Sequence, residues 1–360
     1  MSTSSVRDTL SGSRHSRDFA FARAEFIHNR VFTVGLIFLV LSPFWAIIDS
    51  LMLPEATQHA AIWGRIAMVA GLAFAVFMAR RSPGRIPMAR ACAGLLIGLP
   101  AAFFALVLAT LPAGQANDLI GYSFIPYMLI VVLGIFPFTL IESAVFGLAL
   151  IALQVFALHV SGQWLSMKGI QEIWLLSALL SITLTTNHFH LGMLLRLYRE
   201  ATHDPLTGLL NRGALIQSVS QARRLKDSQP MALLMMDLDH FKRINDERGH
   251  SVGDKVLRQF TQLLTQSIKS SDIAARYGGE EFMAVLLNTS KEAAMTIAEQ
   301  LRQRVESSPV ADHEGKLFKI TVSIGVATLY PDEPLETAAR RADDRLYEAK
   351  KISRNCVVGV

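Results

Sequence analysis

The sequence predicts a two-part chain: an α-helical membrane bundle of about six spans, followed by a mixed α/β domain. Three observations predict it. Long apolar runs fill the first 200 residues. Charge is uneven, with 43 Asp, Glu, Lys and Arg side chains in 201–360 against 22 in 1–200. Strand-like and helix-like patterns alternate only after residue 203. The mean hydropathy of +0.34 is therefore an average over two unlike halves. A length of 360 residues leaves room for both.

Residues 1–30 read as a polar, Ser- and Arg-rich cytoplasmic tail. The lead before the first apolar run is too long for a cleaved signal peptide. Apolar stretches follow at about 31–53, 62–79, 91–111, 119–140, 141–160 and 171–195. Most reach the roughly 17–25 residues that a bilayer-spanning helix needs, so 31–195 is expected to be the membrane domain. Basic residues alternate between loops. Arg7, Arg14, Arg17, Arg23 and Arg30 precede the first span, Arg80, Arg81, Arg85 and Arg90 follow the second, and Arg196 and Arg199 follow the last. The loops at 54–61 and 112–118 have none, and 161–170 has only Lys168. That asymmetry predicts cytoplasmic termini. Pro137 and Glu142 are expected to mark a tight turn between the fourth and fifth spans. Asp49, Arg65, Glu142, Asn187, His188 and His190 are costly inside a bilayer and are candidates for a ligand or switch site. His188 and His190 are two apart on a helix and face different ways, so they are not expected to share a metal.

The last span carries an apolar stripe (Leu191, Leu194, Leu195, Tyr198) on to about Thr202. A helix over 171–202 is predicted, about 48 Å long, with 196–202 as its signalling continuation. From 203 the α/β pattern begins. Met231–Asp237 reads as a buried strand, followed by a loop and a helix at 253–270. Ile273–Tyr277 and Phe282–Leu287 flank a Gly-Gly-Glu-Glu tip and read as a hairpin. A helix at 291–307, a strand at 320–329 and a helix at 335–352 complete an antiparallel-rich sheet covered by helices.

The net charge of +5 does not argue for nucleic acid, because 201–360 carries 22 basic and 21 acidic side chains and the surplus lies near the membrane. Cys92 and Cys356 are too far apart in context to form a disulfide framework, and a reducing compartment is expected for the second half.

The chemistry concentrates in a few runs. Asp237, at the end of a buried strand, would emerge beside the tip bearing Glu280 and Glu281. Together they offer oxygen donors for Mg²⁺ or Mn²⁺. Gly278 and Gly279 allow the backbone to approach phosphate. Lys350 and Arg354, four apart on the last helix, could meet phosphate charge. Asn245 and Asp254 supply an amide and a carboxylate.

The run Arg276-Tyr277-Gly278-Gly279-Glu280-Glu281-Phe282 resembles the GGDEF family of diguanylate cyclases. So do His203-Asp204-Pro205-Leu206-Thr207-Gly208-Leu209-Leu210-Asn211-Arg212, the segment Asp237–Asp246, Gly249–Asp254 and Ala342–Lys350. The likeness covers about 203–358. It implies a palm-like, ferredoxin-like α/β sandwich that holds GTP. By the resemblance, Asp237, Glu280 and the Leu238 carbonyl bind metal, with two ions expected per site, and Glu281 supports metal and hydroxyl activation. Asn245, His250 and Asp254 surround the nucleotide, with Asn245 and Asp254 at guanine. Lys242, Lys350 and Arg354 stabilise phosphate charge. Two domains in a homodimer would join two GTP into cyclic di-GMP, to be read by downstream receptors. The family's inhibitory Arg-x-x-Asp motif is here Lys269-Ser270-Ser271-Asp272. Lys lacks the planar fork of Arg, so this inhibitory site is expected to be degenerate. The membrane half resembles the multi-span sensor regions attached to such cyclases, which implies a bacterial cytoplasmic membrane.

Overall fold

The computed structural model describes residues 9–12, 15–82, 84–112, 122–225 and 230–359. The chain divides into two compact units, Met1–Arg196 and Leu197–Val360.

The first unit is all helix: α1 (Arg17–Met52), α2 (Glu55–Arg81), α3 (Ile86–Thr110), α4 (Ile125–Leu133), α5 (Leu140–Val160) and α6 (Met167–Thr202), whose last residues enter the second unit. Five of these, all but α4, are long and apolar enough to cross a membrane by length and composition. The fourth expected span, 119–140, differs. Residues 119–121, like Arg7, Arg14 and 113–118, lie outside the described residues. Beyond them the stretch is helical only over the nine residues of α4. At 1.5 Å per residue that is about 14 Å, half a hydrocarbon core. A turn at Gly134–Phe136 ends it. The chain restarts at Thr139, whose hydroxyl accepts the Glu142 N–H while the Glu142 carboxylate accepts the Thr139 N–H. This reciprocal cap opens α5.

Around a buried apolar core, the unit also exposes many large apolar side chains and buries several polar ones. Phe44, Trp63, Leu148 and Ile182 are more than half exposed, whereas Asp49, Arg65 and Asn187 are buried. Many of the buried polar groups pair with one another, which offsets the cost of a low-dielectric interior. Arg65 Nε meets Asp49 Oδ2 at 2.5 Å, Tyr122 donates to Asp49, and Arg23 and Arg90 both pair with Glu142. Asn187 donates to Ser143 Oγ at 2.8 Å. His188 meets Thr9 and His190 meets Arg30, each at 2.8 Å, so the two imidazoles have separate partners.

The second unit is built on a six-stranded sheet. Its strands are β1 (Leu210–Asn211), β2 (Met231–Leu238), β3 (Ile273–Arg276), β4 (Glu281–Leu287), β7 (Val322–Leu329) and β8 (Val357–Gly359), in the order β1-β3-β4-β2-β7-β8. A separate two-stranded ribbon pairs β5 (Val310–Ala311) with β6 (Leu317–Phe318). The four inner strands pair antiparallel and the two edge strands parallel. The inner order β3-β4-β2-β7, with helices after β2 and β4, is the expected ferredoxin-like arrangement. Helices α7 (Arg212–Leu225), α8 (Phe241–Arg248), α9 (His250–Ser267), α10 (Lys291–Glu306) and α11 (Leu335–Ile352) complete the unit. The expected loop after β2 is mostly helix: α8 and the first turn of α9 occupy it, joined at Gly249 with φ 83°.

All eight residues of β2 are buried. They alternate between two cores. Ala232, Leu234 and Met236 pack with Phe260, Ala298 and Leu301 of α9 and α10. Met231, Leu233 and Met235 pack with Leu215, Ala338 and Leu346 of α7 and α11. The same alternation sends Asp237 to the α11 side. That helix packs directly on β7, with a buried face that is mostly alanine and meets Gly325. A Cβ on Gly325 would come within 2.0 Å of the Ala342 carbonyl oxygen. Gly325→Ala is therefore expected to push α11 outward and to cost about 1–3 kcal/mol. Thermal unfolding of the full chain in detergent checks this; an unchanged midpoint would contradict it.

Candidate active site

The site grows from the end of β2. In register, Asp237 faces Glu281 on β4 and Ser323 on β7. The backbone N–H of Leu238 donates to the Glu280 carbonyl at 3.3 Å, so strand end and hairpin tip are tied. Asp237 is 5% exposed, and its Oδ2 accepts from Lys350 Nζ of α11 at 2.8 Å.

The tip is shaped from within. The Tyr277 and Gly278 N–H groups both donate to the Glu281 carbonyl, at 2.8 and 3.1 Å. The Glu281 carboxylate folds back over Gly278, where a Cβ would lie 2.3 Å from its Oε2. Gly279 is different. A Cβ there would meet nothing within 4 Å. Nothing inside the protein demands glycine at 279, so the open space beside it suits a ligand approaching the backbone. Arg276 clamps this point, with Nη2 donating to the Gly279 carbonyl at 2.6 Å and Nη1 reaching both oxygens of Asp204. Asp204 also accepts from the Thr207 N–H and hydroxyl at 2.8 and 2.7 Å. Burial alone would raise the Asp204 carboxyl; these donors outweigh it and hold it below its usual range.

Electrostatics marks Asp237 and Glu280. Burial pushes the Asp237 carboxyl up, and the Asp239 charge adds to this, against the pull of Lys350 and Arg354. Burial also raises Glu280, and the charge of Asp237 raises it further. Carboxyls whose charge is disfavoured by burial and by a neighbouring carboxylate make a place for a cation. No group of three or more His, Cys, Asp or Glu side chains is arranged for a metal among the described residues. The donors present, two strained carboxylates at a hairpin with main-chain carbonyls nearby, fit a hard divalent ion.

A second cluster forms at the α8–α9 corner. Asn245 is half-buried, and its side-chain oxygen would lie 1.9 Å from a Cβ on Gly253. Glycine there lets the amide lie against α9, beside Asp254. Lys242 and His250 are exposed nearby in sequence. Arg354, expected on the last helix with Lys350, is exposed too but lies beyond α11, which ends at Ile352 because the chain turns left-handed at Arg354, with φ 54°. Lys269 and Asp272 are elsewhere. The Asp272 carboxylate accepts the N–H of Lys269 and the N–H of Leu287, at 2.9 and 3.0 Å. Leu287 ends β4, so the pair sits a strand's length from the tip. Sequence reasoning missed Asp239, Asn355 and the Arg276–Asp204 clamp. Asp204, Arg276 and Asp239 all lie in runs that resemble the family, but nothing in those runs joins them to their partners.

Residues 201–356 match the family described as "Diguanylate cyclase, GGDEF domain". The C-terminal half of the chain belongs to the GGDEF family. Over 159 residues it is 42% identical to the diguanylate cyclase DgcP of Pseudomonas aeruginosa, covering 44% of this chain and 24% of that protein. Over 165 residues it is 41% identical to the response regulator PleD of Caulobacter vibrioides, covering 44% and 36%. The chain thus spans about a third or less of these relatives. A crystal structure of the GGDEF domain of DgcB from Caulobacter crescentus, in complex with c-di-GMP, is 34% identical, covers 45% of this chain and 94% of that one, and has a TM-score of 0.42.

The raised carboxyls of this GGDEF domain give a signed pH expectation. The folded state holds protons more tightly than the unfolded chain, so without a cation stability falls as pH rises through the raised values. Mg²⁺ should therefore raise the unfolding midpoint more at pH 8 than at pH 5, and Asp237→Asn should remove most of that difference. Equal gains at both pH values in the unmodified protein would contradict the assignment.

Proposed function

We propose that the chain is a membrane-bound diguanylate cyclase that condenses two GTP into cyclic di-GMP and two pyrophosphates. The observation that carries this is the tip Gly278-Gly279-Glu280-Glu281 held against the buried Asp237 in a GGDEF domain. Asp237, Glu280, Glu281 and the Leu238 carbonyl would hold Mg²⁺ or Mn²⁺, two ions per site. Bound cations would neutralise triphosphate charge and favour attack at the α-phosphorus.

The chain's own residues do the rest. The open main chain at Gly279, next to Gly278 under the Glu281 carboxylate, admits the phosphates. Lys350, now on Asp237, turns to the β- and γ-phosphates together with Arg354, while Lys242 meets charge at the reacting end. Asn245 and Asp254 take the guanine edge, whose N–H donors suit a carboxylate; an adenine would leave that carboxylate unpaired. His250 lines the nucleotide. Glu281 orients and helps deprotonate the attacking 3′-hydroxyl. Each hydroxyl attacks the other domain's α-phosphate, so a homodimer is needed. Lys269 and Asp272 stay outside this reading as a degenerate inhibitory site, because Asp272 is already engaged by backbone N–H groups.

The five long apolar helices and the Arg-rich segments flanking them support a location in a bacterial cytoplasmic membrane with both termini inside. The domain reading is a tail at 1–30, a membrane sensor at 31–195, a signalling helix at 196–202 and the catalytic domain at 203–358. The continuous helix Met167–Thr202 supports a signal passing from sensor to catalytic domain. Cyclic di-GMP receptors would act downstream.

The test is turnover of GTP to cyclic di-GMP by the full chain. Glu280→Gln keeps the shape but not the charge that offsets a cation, and should lower the rate by about a hundredfold or more. Normal turnover in that variant would sink the role given to Glu280. No product from the unmodified chain with Mg²⁺ or Mn²⁺ would sink the cyclase reading.

A further inference from the structure

Arg354 and Asn355 are consecutive, neither is glycine, and both are left-handed, with φ 54° and 48°. Side chains rarely adopt this backbone unless something holds it. Arg354 lies two residues past the end of α11, after the cap Ser353, and its charge reaches Asp237. The turn therefore sets where the guanidinium stands.

Within the turn, the Arg354 N–H donates to the Ala349 carbonyl at 3.1 Å and the Ser353 hydroxyl to the Arg354 carbonyl at 2.9 Å, and one buried carboxylate ties Asn355 to the sheet. Asp239 is 5% exposed. Its Oδ2 accepts the Asn355 N–H at 3.0 Å and the Thr321 hydroxyl at 2.8 Å. Its Oδ1 accepts the Ser323 hydroxyl at 2.7 Å. Its own N–H donates to the Thr321 carbonyl at 3.0 Å. An ionised carboxylate only accepts, and three donors converge on this one. The other side of the turn is held by Arg302 of α10, whose Nη1 donates to Asn355 Oδ1 at 3.0 Å. Arg302 is itself fixed by Glu299 and Glu306. Asp239 thus joins the end of β2, the start of β7 and the turn after α11, two residues from the carboxylate that Lys350 meets.

The geometry points to Asp239 as a positioning residue for the triphosphate. Through the Asn355 N–H it fixes the left-handed turn that presents Arg354 beside Asp237 and Lys350. It therefore governs the phosphate end of the pocket and leaves the base end, at Asn245 and Asp254, alone. The inference rests on the proposed nucleotide site but not on turnover.

The experiment measures binding of magnesium pyrophosphate and, separately, of guanosine to the full chain by calorimetry, with cyclase turnover recorded on the same preparation. Asp239→Ala should weaken pyrophosphate by about tenfold while guanosine changes less than about twofold. Asp239→Asn, which still offers an oxygen to the Asn355 N–H, should recover much of the loss. Should Asp239→Ala fail to fold, Asn355→Gly serves instead. Glycine tolerates the positive φ, loses the Arg302 bond and frees the turn, so pyrophosphate should weaken by about threefold with guanosine unchanged. Equal weakening of both ligands would mark general damage and overturn the inference, as would unchanged pyrophosphate binding. If turnover is absent but the selective loss appears, the cyclase reading fails and this inference stands. If turnover is present and the loss does not appear, the reverse holds.

Discussion

The C-terminal half is organised around buried carboxyls whose charge is disfavoured. Asp237 and Glu280 meet where the end of β2 is tied to the hairpin tip; burial raises both carboxyls, the charge of Asp239 adds to the rise at Asp237, and the charge of Asp237 adds to the rise at Glu280. A protein built only for stability would not keep that arrangement. Lys350 offsets part of it, but only from one side and on a flexible stem. The unresolved charge is what makes the hairpin tip a place for cations and phosphates.

Much of the surrounding structure serves to hold this arrangement in place. The period-2 alternation of β2 puts Asp237 on the α11 face. Gly325 lets α11 approach closely enough for Lys350 to reach it. Arg276 ties the Gly279 carbonyl to Asp204, and Asp239 ties the end of β2 to the turn bearing Arg354. In the N-terminal helical unit, charged groups such as Asp49, Arg65, Arg23 and Glu142 pair inside, and many large apolar side chains are exposed.

Elements with a strong period were legible in the sequence. The continuous apolar run of β2, the hairpin at Gly278–Gly279 and the amphipathic α9, α10 and α11 all lie close to their expected positions. The helix α8 was not legible, because Phe241–Arg248 has a single buried residue, Phe241, and so no apolar stripe. The fourth apolar stretch misled for the opposite reason. Hydrophobicity alone suggested a span, while Gly134, Pro137 and the Thr139–Glu142 cap broke the described helix into short and long pieces. Within the site, Asp237, Glu280, Glu281 and the glycines could be named from motif resemblance. Asp239 and Asn355 could not, because their role depends on backbone angles and on hydroxyls from β7 and its approach that no local pattern joins to them.

The most direct test of the central claim is a structure of the full chain with Mg²⁺ and a non-hydrolysable GTP analogue. The account predicts that Asp237 and Glu280 both ligate the cation and that Lys350 leaves Asp237 for the phosphates. A structure in which Lys350 stays on Asp237 and the cation binds without these two carboxylates would contradict it.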